Sequence, residues 1–151
     1  MLERKTDIIM TYVQYDNMTK VLYTGTFDIL HPGHLDYFRQ AKEHGDYLIV
    51  VVARDSSVSQ EKKLTHNEKE RHKQVAAQEI VDKAVLGNEG DKLKIVEQEK
   101  PDVICLGYDQ KVDETRLKEE LKKRRLAPTI VRAQAYFPEK YKSSLLRLLH
   151  Q

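Results

Sequence analysis

The sequence predicts an α/β fold in which a five-stranded parallel sheet lies between two layers of helices. Short apolar runs alternate with longer segments of helical periodicity along the chain, and such alternation implies right-handed crossovers and parallel strands. The run DYLIVVVA at 46–53 is apolar almost throughout, as expected for a strand covered on both faces. We therefore predict a Rossmann-like, doubly wound sheet.

The strands are predicted from short runs rich in Val, Ile and Leu, each followed by a turn or loop. These runs are 20–25, 46–53, 83–87, 102–107 and 129–133. In open parallel sheets, ligands bind beyond the carboxyl ends of the strands, near the point where the strand order reverses. The segments that follow the strands are therefore expected to carry the function.

The helices are predicted from apolar spacing and from start and stop signals. They are 34–45, 65–80, 91–100, 113–125 and 143–150. In the first helix, Leu35, Phe38 and Ala41 recur at helical spacing, and Gly45 is the stop signal. The second is predicted to open with a capping box formed by Thr65 and Glu68. Its predicted buried residues are Val75, Ala76 and Ile80. The stretch 54–64 has no apolar period and is predicted to be a mobile loop.

The length of 151 residues fits one domain. Met18 begins the predicted domain naturally, so we divide the chain into an N-terminal extension, 1–17, and a domain, 18–151. The net charge is +2, from 26 basic and 24 acidic residues. A dedicated nucleic-acid binder usually carries a strong basic excess, so we expect no nucleic-acid partner for this protein.

The composition also bears on the cellular compartment. The single cysteine, Cys105, cannot form an internal disulfide and is typical of a reducing cytosol. No run approaches the roughly 20 apolar residues of a membrane span, and no signal-peptide pattern opens the chain. We therefore expect a cytoplasmic protein with no membrane partner.

The stretch TGTFDILHPGH follows the first predicted strand and holds the residues best suited to chemistry. Gly25 permits a tight turn, and backbone N–H groups at a helix start can bind anionic oxygens. Gly33 has no side chain, so a planar ligand or ribose is expected to lie against its backbone. His31 and His34 are three residues apart, so on a helix they face the same side.

Two imidazoles at a helix start can donate hydrogen bonds to phosphate oxygens. In nucleotidyl transfer, charge spreads over these oxygens and the leaving group, so positioned donors supply most of the catalysis. The pair of histidines alone also allows different roles. Histidines at this spacing occur by chance on solvated helices. A zinc site needs a third and usually a fourth ligand, and no Cys/His cluster follows. A dinucleotide dehydrogenase would show G-x-G-x-x-G, where this chain has GTFDILHPG.

GTFDILHPGH resembles the G-x-F-D-x-x-H-x-G-H signature of the cytidylyltransferase-like nucleotidyltransferases. Within that superfamily, VVARDSSV, VDKAVLG, KPDVICLGYDQ and a Ser-Ser pair after a Tyr are similar to the archaeal FAD synthases (FMN adenylyltransferases). The resemblance covers roughly residues 20–150. It implies the HIGH-type nucleotidyltransferase fold, attack of an acceptor phosphate on the α-phosphorus of a nucleoside triphosphate, and release of pyrophosphate.

The resemblance also implies roles for individual residues. His31 and His34 would bind the triphosphate and stabilise the transition state. The loop lysine falls on Lys62 or Lys63, and we predict Lys63 as the catalytic one. The predicted nucleotide-binding residues are Thr24, Gly25, Thr26, Phe27, Gly33, Arg71, Asp109, Gln110, Tyr136, Ser143 and Ser144. Mg²⁺ is expected to bind through the substrate phosphates, and a homodimer is expected.

The substrates implied are ATP or CTP and a phosphate-bearing small molecule, with FMN favoured as acceptor. The cytidylyltransferases proper carry R-Y-V-D-E and R-T-x-G-I-S-T-T, where this chain has EIVDKAV and YFPEKYKSS. These departures disfavour CTP with glycerol 3-phosphate. The alternatives are a cytidylyltransferase acting on glycerol 3-phosphate or another polyol or lipid-precursor phosphate, and a non-catalytic nucleotide-binding protein.

Overall fold

The computed structural model describes residues 17–136. The predicted final helix, 143–150, lies outside these residues, and so do Ser143 and Ser144. The predicted N-terminal extension, 1–17, overlaps them only at residue 17. The division of the chain at residue 18 therefore stays a prediction. Within the described part, no helix is both long enough and apolar enough to span a bilayer.

Five strands form one sheet in the order β3-β2-β1-β4-β5. They are β1 (Lys20–Gly25), β2 (Tyr47–Val52), β3 (Lys83–Leu86), β4 (Val103–Leu106) and β5 (Thr129–Arg132). Every neighbouring pair is parallel, which confirms the predicted sheet. The strand order reverses between β1 and β4, so the carboxyl ends of these two strands border the position where ligands bind in such sheets.

Four helices cover the two faces of the sheet among residues 17–136. They are α1 (Pro32–Lys42), α2 (Glu68–Ala76), α3 (Lys94–Glu99) and α4 (Glu114–Lys123). Phe38 of α1 and Val75 of α2 pack on one face, whereas Ile95 of α3 and Leu121 of α4 pack on the other. Full burial of a side chain such as Phe38 contributes about 1.5–3 kcal/mol, so this layering accounts for much of the stability.

The start of α1 differs from the prediction. The helix begins at Pro32, whose ring suits the first helical position. Phe38 and Ala41 are fully buried, but Leu35 is 42% exposed, so Leu35 does not share their buried face. His34 lies four residues before Phe38 and seven before Ala41, and it holds the inward position instead.

The predicted capping box of Thr65 and Glu68 is wrong. The N-cap of α2 is Asn67, whose side chain accepts from the N–H of Glu70. The N–H of Thr65 donates instead to the carboxylate of Asp28, and the Glu68 carboxylate bonds to Arg54. Long-range partners therefore take the groups that a local box would use.

One of the predicted buried positions in this region is also wrong, because α2 ends at Ala76, which is exposed. Ile80 lies beyond the helix, where it packs partly buried against the core. The predicted loop 54–64 contains one turn of 3₁₀-helix, Asp55–Ser57.

Candidate active site

A cavity of about 440 Å³ lies at the carboxyl ends of β1 and β4. The predicted residues that the structure brings together around it are Thr24, Gly25, Thr26, Phe27, His31, His34, Asp109 and Gln110. They come from two separate parts of the sequence, 24–34 and 109–110. The cavity lies at the reversal of strand order, the position where ligands bind in sheets of this kind.

The turn after β1 is held by Phe27 in an unusual backbone conformation. Phe27 has φ 54°, in the left-handed region that costs a non-glycine residue roughly 1–2 kcal/mol. Its ring is 4% exposed and packs so closely on Gly25 that a Cβ there would lie 2.5 Å from it. Burial of a Phe side chain offsets a strain of this size. Phe27 therefore borders the cavity mainly as the residue that fixes the turn.

His31 and His34 cap α1 with their own rings. The N–H of Gly33 donates to Nδ1 of His31 at 3.0 Å, and the N–H of His31 donates to Nδ1 of His34 at 3.3 Å. The rings stack with centroids 3.8 Å apart. Because a backbone N–H can only donate, both Nδ1 atoms must carry a lone pair. In their neutral forms, both imidazoles therefore carry their proton on Nε2.

The environment of His34 favours its neutral form. Burial and then the neighbouring His31 lower the pKa of His34 from 6.5 to about 4, and the Ile29 carbonyl acts in the opposite direction. The ring of Phe27 packs edge-on against His34 at 5.5 Å. His34 is thus a neutral hydrogen-bond donor at physiological pH, not a fixed positive charge.

Gly33 serves a different purpose from the predicted one. A Cβ at this position would lie 2.7 Å from the His31 ring and 3.1 Å from the Tyr136 ring. The space beside the Gly33 backbone is therefore taken by the protein's own side chains, not left open for a planar ligand or ribose. Gly33 allows the His31 ring to fold back onto the start of the helix.

Thr24 and Gln110 connect the ends of β1 and β4. Oε1 of Gln110 accepts from the N–H of Gly107 at 2.6 Å, and its Nε2 donates to Oγ1 of Thr24 at 3.4 Å. Arg132 Nη1 donates to the carbonyls of Gly107 and Gln110, both at 2.8 Å. The Gln110 amide is thus largely occupied in holding the turn, whereas Asp109 is exposed on the cavity wall.

The lysine that lines the cavity is Lys62. Lys63, predicted as the catalytic lysine, is exposed and is not among the residues that line it. The two were alternatives in one loop, and sequence spacing gives no means of choosing between neighbours in an irregular segment. The structure favours Lys62.

Arg71 is fully buried, the only charged side chain that is buried among residues 17–136. It donates to the carbonyl of Thr26 at 2.7 Å, to Oδ1 of Asp55 at 2.7 Å and to the carbonyl of His66 at 3.2 Å. The Arg71 guanidinium also holds the pKa of the Asp55 carboxyl below its usual range. Arg71 therefore has no accessible surface for the predicted direct contact with nucleotide and supports the turn after β1, residues 25–28, through Thr26.

Three aromatic residues of the cavity wall were missed by sequence reasoning: Tyr23, Tyr37 and Tyr108. The rings of Tyr37 and Tyr108 are 5.8 Å apart, and Tyr108 is 43% exposed. The helical spacing of Tyr37, three residues after His34, was the available signal. The predicted ligand-contacting Tyr136 lies beside Gly33, and its N–H donates to the Tyr37 hydroxyl at 3.3 Å.

A second cavity of about 370 Å³ adjoins the first. The two share Thr24, Gly25, Thr26 and Gln110 as a common floor. The apolar side chains of the second cavity are Val51, Ala53, Ile95 and Val112, and its polar ones include Arg54, Ser57, Asn88 and Lys92. Oδ1 of Asn88 is buried without a hydrogen-bond partner. The histidines contact only the first cavity.

No group of three or more His, Cys, Asp or Glu side chains within residues 17–136 is arranged to hold a metal ion. A zinc site at the histidine pair would therefore have no additional ligands in this region.

The low pKa of His34 predicts its titration. Its ring should titrate near pH 4 in the folded protein, and ¹⁵N chemical shifts should report the Nε2–H form at pH 7. Because the folded pKa lies below the unfolded value of about 6.5, the stability from this group is present above pH 6.5 and is lost as the pH falls toward 4. NMR titration, assigned with His34→Gln, measures this directly. A midpoint at or above 6.5 would contradict the assigned environment.

The contact between Gly33 and His31 predicts the effect of Gly33→Ala. The added methyl group should displace the His31 ring and lower turnover roughly tenfold to a hundredfold, because catalytic donors tolerate little misplacement. The fold should persist, since alanine favours a helix more than glycine does. Steady-state kinetics and circular dichroism separate the two effects, and full turnover in this variant would show that the ring position is unimportant.

Comparison with known proteins agrees with this geometry. Residues 22–148 match the family model described as cytidylyltransferase-like. The chain is 50% identical over 118 residues to the FAD synthase of Ferroglobus placidus, covering 78% of each chain. It is 51% identical over 109 residues to the FAD synthase of Archaeoglobus fulgidus, covering 72% of this chain and 80% of the relative.

A solved structure extends the likeness to three dimensions. The lipopolysaccharide core biosynthesis protein from Thermoplasma volcanium GSS1 superposes with a TM-score of 0.76 at 45% identity, over 80% of this chain and 99% of that one. A family match over most of the chain, the identity to these relatives and the histidine site at the end of β1 lead to one conclusion: the chain belongs to the cytidylyltransferase-like family.

Proposed function

We propose that this protein is an FMN adenylyltransferase, an FAD synthase that transfers AMP from ATP to FMN and releases pyrophosphate. The observation that carries the proposal is the pair of stacked imidazoles at the end of β1, whose Nδ1 atoms accept backbone N–H groups and whose neutral forms therefore carry the proton on Nε2. The name FAD synthase, borne by relatives about half identical to this chain, supports FMN and ATP as the substrates.

The proposed reaction needs no covalent intermediate with the protein. A phosphate oxygen of FMN attacks the α-phosphorus of ATP and forms the new phosphorus–oxygen bond. The bond between the α-phosphorus and the oxygen that bridges to the β-phosphorus breaks in line, and pyrophosphate leaves with that oxygen. Charge grows on the transferring and leaving oxygens, where Nε2–H groups of His31 and His34 donate and Lys62 supplies positive charge.

The two adjoining cavities suit two substrates that meet at one phosphate. The cavity with the histidines and Asp109 is mainly polar and is proposed to take ATP. The second has apolar walls with a few polar groups, which is typical of a site for a large ring system such as that of a flavin. On this proposal, the acceptor phosphate and the α-phosphorus meet over the residues that the two cavities share, Thr24 to Thr26 and Gln110.

Mg²⁺ is proposed to accompany the triphosphate. This ion keeps several waters and binds largely through phosphate oxygens in such reactions, so it requires no dedicated group of protein carboxylates. When bound, it would neutralise part of the phosphate charge. The carboxylate on the cavity wall, Asp109, is the nearest candidate to assist through water.

The homodimer and the cytoplasmic location stay predictions. Ile29 and Leu35, at 59% and 42% exposure, are large apolar side chains on the surface near the histidines.

A crossed assay tests the function. ATP and CTP are each combined with FMN and with glycerol 3-phosphate in the presence of Mg²⁺, and pyrophosphate and FAD are measured. We expect turnover with ATP and FMN, and little with the other three pairs. Turnover restricted to CTP would contradict the flavin assignment. Binding of nucleotide without pyrophosphate from any pair would favour the non-catalytic alternative.

The division of the cavities is tested with Lys92→Ala. Lys92 lies in the second cavity, so its loss should raise the KM for FMN roughly three- to tenfold through a weakened charged contact with phosphate. The KM for ATP should change much less. Lys94→Ala, two residues away and outside both cavities, is the matched control. An increase confined to the KM for ATP would reverse the assignment of the cavities.

A further inference from the structure

The lysine segment, residues 55–65, carries Lys62. Hydrogen bonds tie both of its ends to the turn after β1, residues 25–28. At the amino end, Asp55 accepts from the buried Arg71, which also donates to the carbonyl of Thr26. At the carboxyl end, the carboxylate of Asp28 accepts from the N–H of Thr65 at 2.9 Å. Thr26 and Asp28 belong to the same turn, so both ends of the lysine segment are fixed to a piece of chain three residues long.

The anchor at Asp28 is made of several hydrogen bonds. Besides Thr65, its carboxylate accepts from the N–H of His66 at 2.8 Å, and Nδ1 of His66 donates to the Asp28 carbonyl at 2.8 Å. The N–H groups of Thr65 and then His66 hold the pKa of the Asp28 carboxyl below its usual range. The carboxylate is therefore in the charged form that accepts these bonds.

The anchor at Asp55 is reinforced in the same way. The N–H of Asp55 donates to the Glu68 carboxylate at 3.1 Å, and Glu68 also pairs with Arg54 at 2.8 Å. Arg54 in turn donates to the carbonyl of Gly87 at 2.8 Å. These bonds connect the amino end of the lysine segment to α2 and to the end of β3.

The middle of the segment has far fewer constraints. Residues 59–63 are exposed, and the hydrogen bonds there are short-range, from the N–H groups of Glu61 and Lys62 to Ser59. A segment fixed at its ends and loose at its centre lets a lysine adapt to phosphate while its distance from the turn stays bounded.

We infer that Asp28 is a positioning residue for nucleotidyl transfer: it holds the segment bearing Lys62 in register with the histidine turn, so that Lys62 and the histidines act on one phosphate group. This rests on the proposed function, since it assigns Lys62 to the transferring or leaving phosphates. Asp28 itself touches backbone N–H groups, and its effect on the reaction passes through Lys62.

A double-mutant cycle tests the inference. Turnover is measured for Asp28→Asn, for Lys62→Ala and for the double variant, with pyrophosphate release as the readout. Each single change should lower kcat roughly tenfold to a hundredfold, as expected when a catalytic contact is lost or displaced. If Asp28 acts through Lys62, the double variant should be within about threefold of the slower single one.

Asp102→Asn is the matched control. The Asp102 carboxylate also accepts from a backbone N–H, that of Lys20 at 2.9 Å, but at the opposite end of the sheet. Asp102→Asn should leave kcat unchanged. The double variant of Asp102→Asn with Lys62→Ala should therefore have the same kcat as Lys62→Ala alone. If Asp28→Asn does not fold, the same cycle is run with Asp28→Glu, which keeps the charge and displaces the carboxylate by one methylene.

Multiplicative effects of Asp28→Asn and Lys62→Ala, or an unchanged kcat in Lys62→Ala, would overturn the inference. Failure of the proposed function is distinguishable, because it is seen in the unmodified protein as absence of FAD from FMN and ATP. In that case the cycle is run with whichever pair of substrates releases pyrophosphate. A protein inactive with every pair contradicts both proposals.

Discussion

Arg71 carries a charge that water cannot reach, and every group that satisfies it belongs to a different part of the site. A buried guanidinium without partners would be strongly destabilising. Its N–H groups donate to Thr26 in the turn after β1, to Asp55 in the 3₁₀-turn and to His66 before α2. Displacing any of these three segments would leave part of the buried guanidinium without a partner, so the arrangement of the site contributes to the stability of the domain.

The histidine pair shows how one set of atoms meets a structural and a chemical requirement together. The first turn of a helix leaves backbone N–H groups without partners, and the two Nδ1 atoms accept two of the N–H groups at this end. The same bonds fix which nitrogen carries the proton. A serine or aspartate cap would satisfy the helix equally well, but it would leave no ring N–H for a phosphate.

The sequence was sufficient for the features that depend on local patterns. Apolar runs placed all five strands, and GTFDILHPGH located the histidines at the end of β1. It was insufficient where a long-range partner overrides a local one. Thr65 and Glu68 have the spacing of a capping box, but Asp28 and Arg54 bind the groups that such a box would use. Arg71 resembles an exposed helical charge until Thr26, 45 residues earlier in the chain, is placed beside it.

The common floor of the two cavities has a consequence for the end of the reaction. On the proposed function, the product is a single molecule with one half in each cavity, whereas each substrate occupies only one. The two halves of the product are joined by a short covalent link and bind as a bivalent ligand. Once one half is bound, the other half binds at a high effective concentration. FAD would then leave more slowly than either substrate.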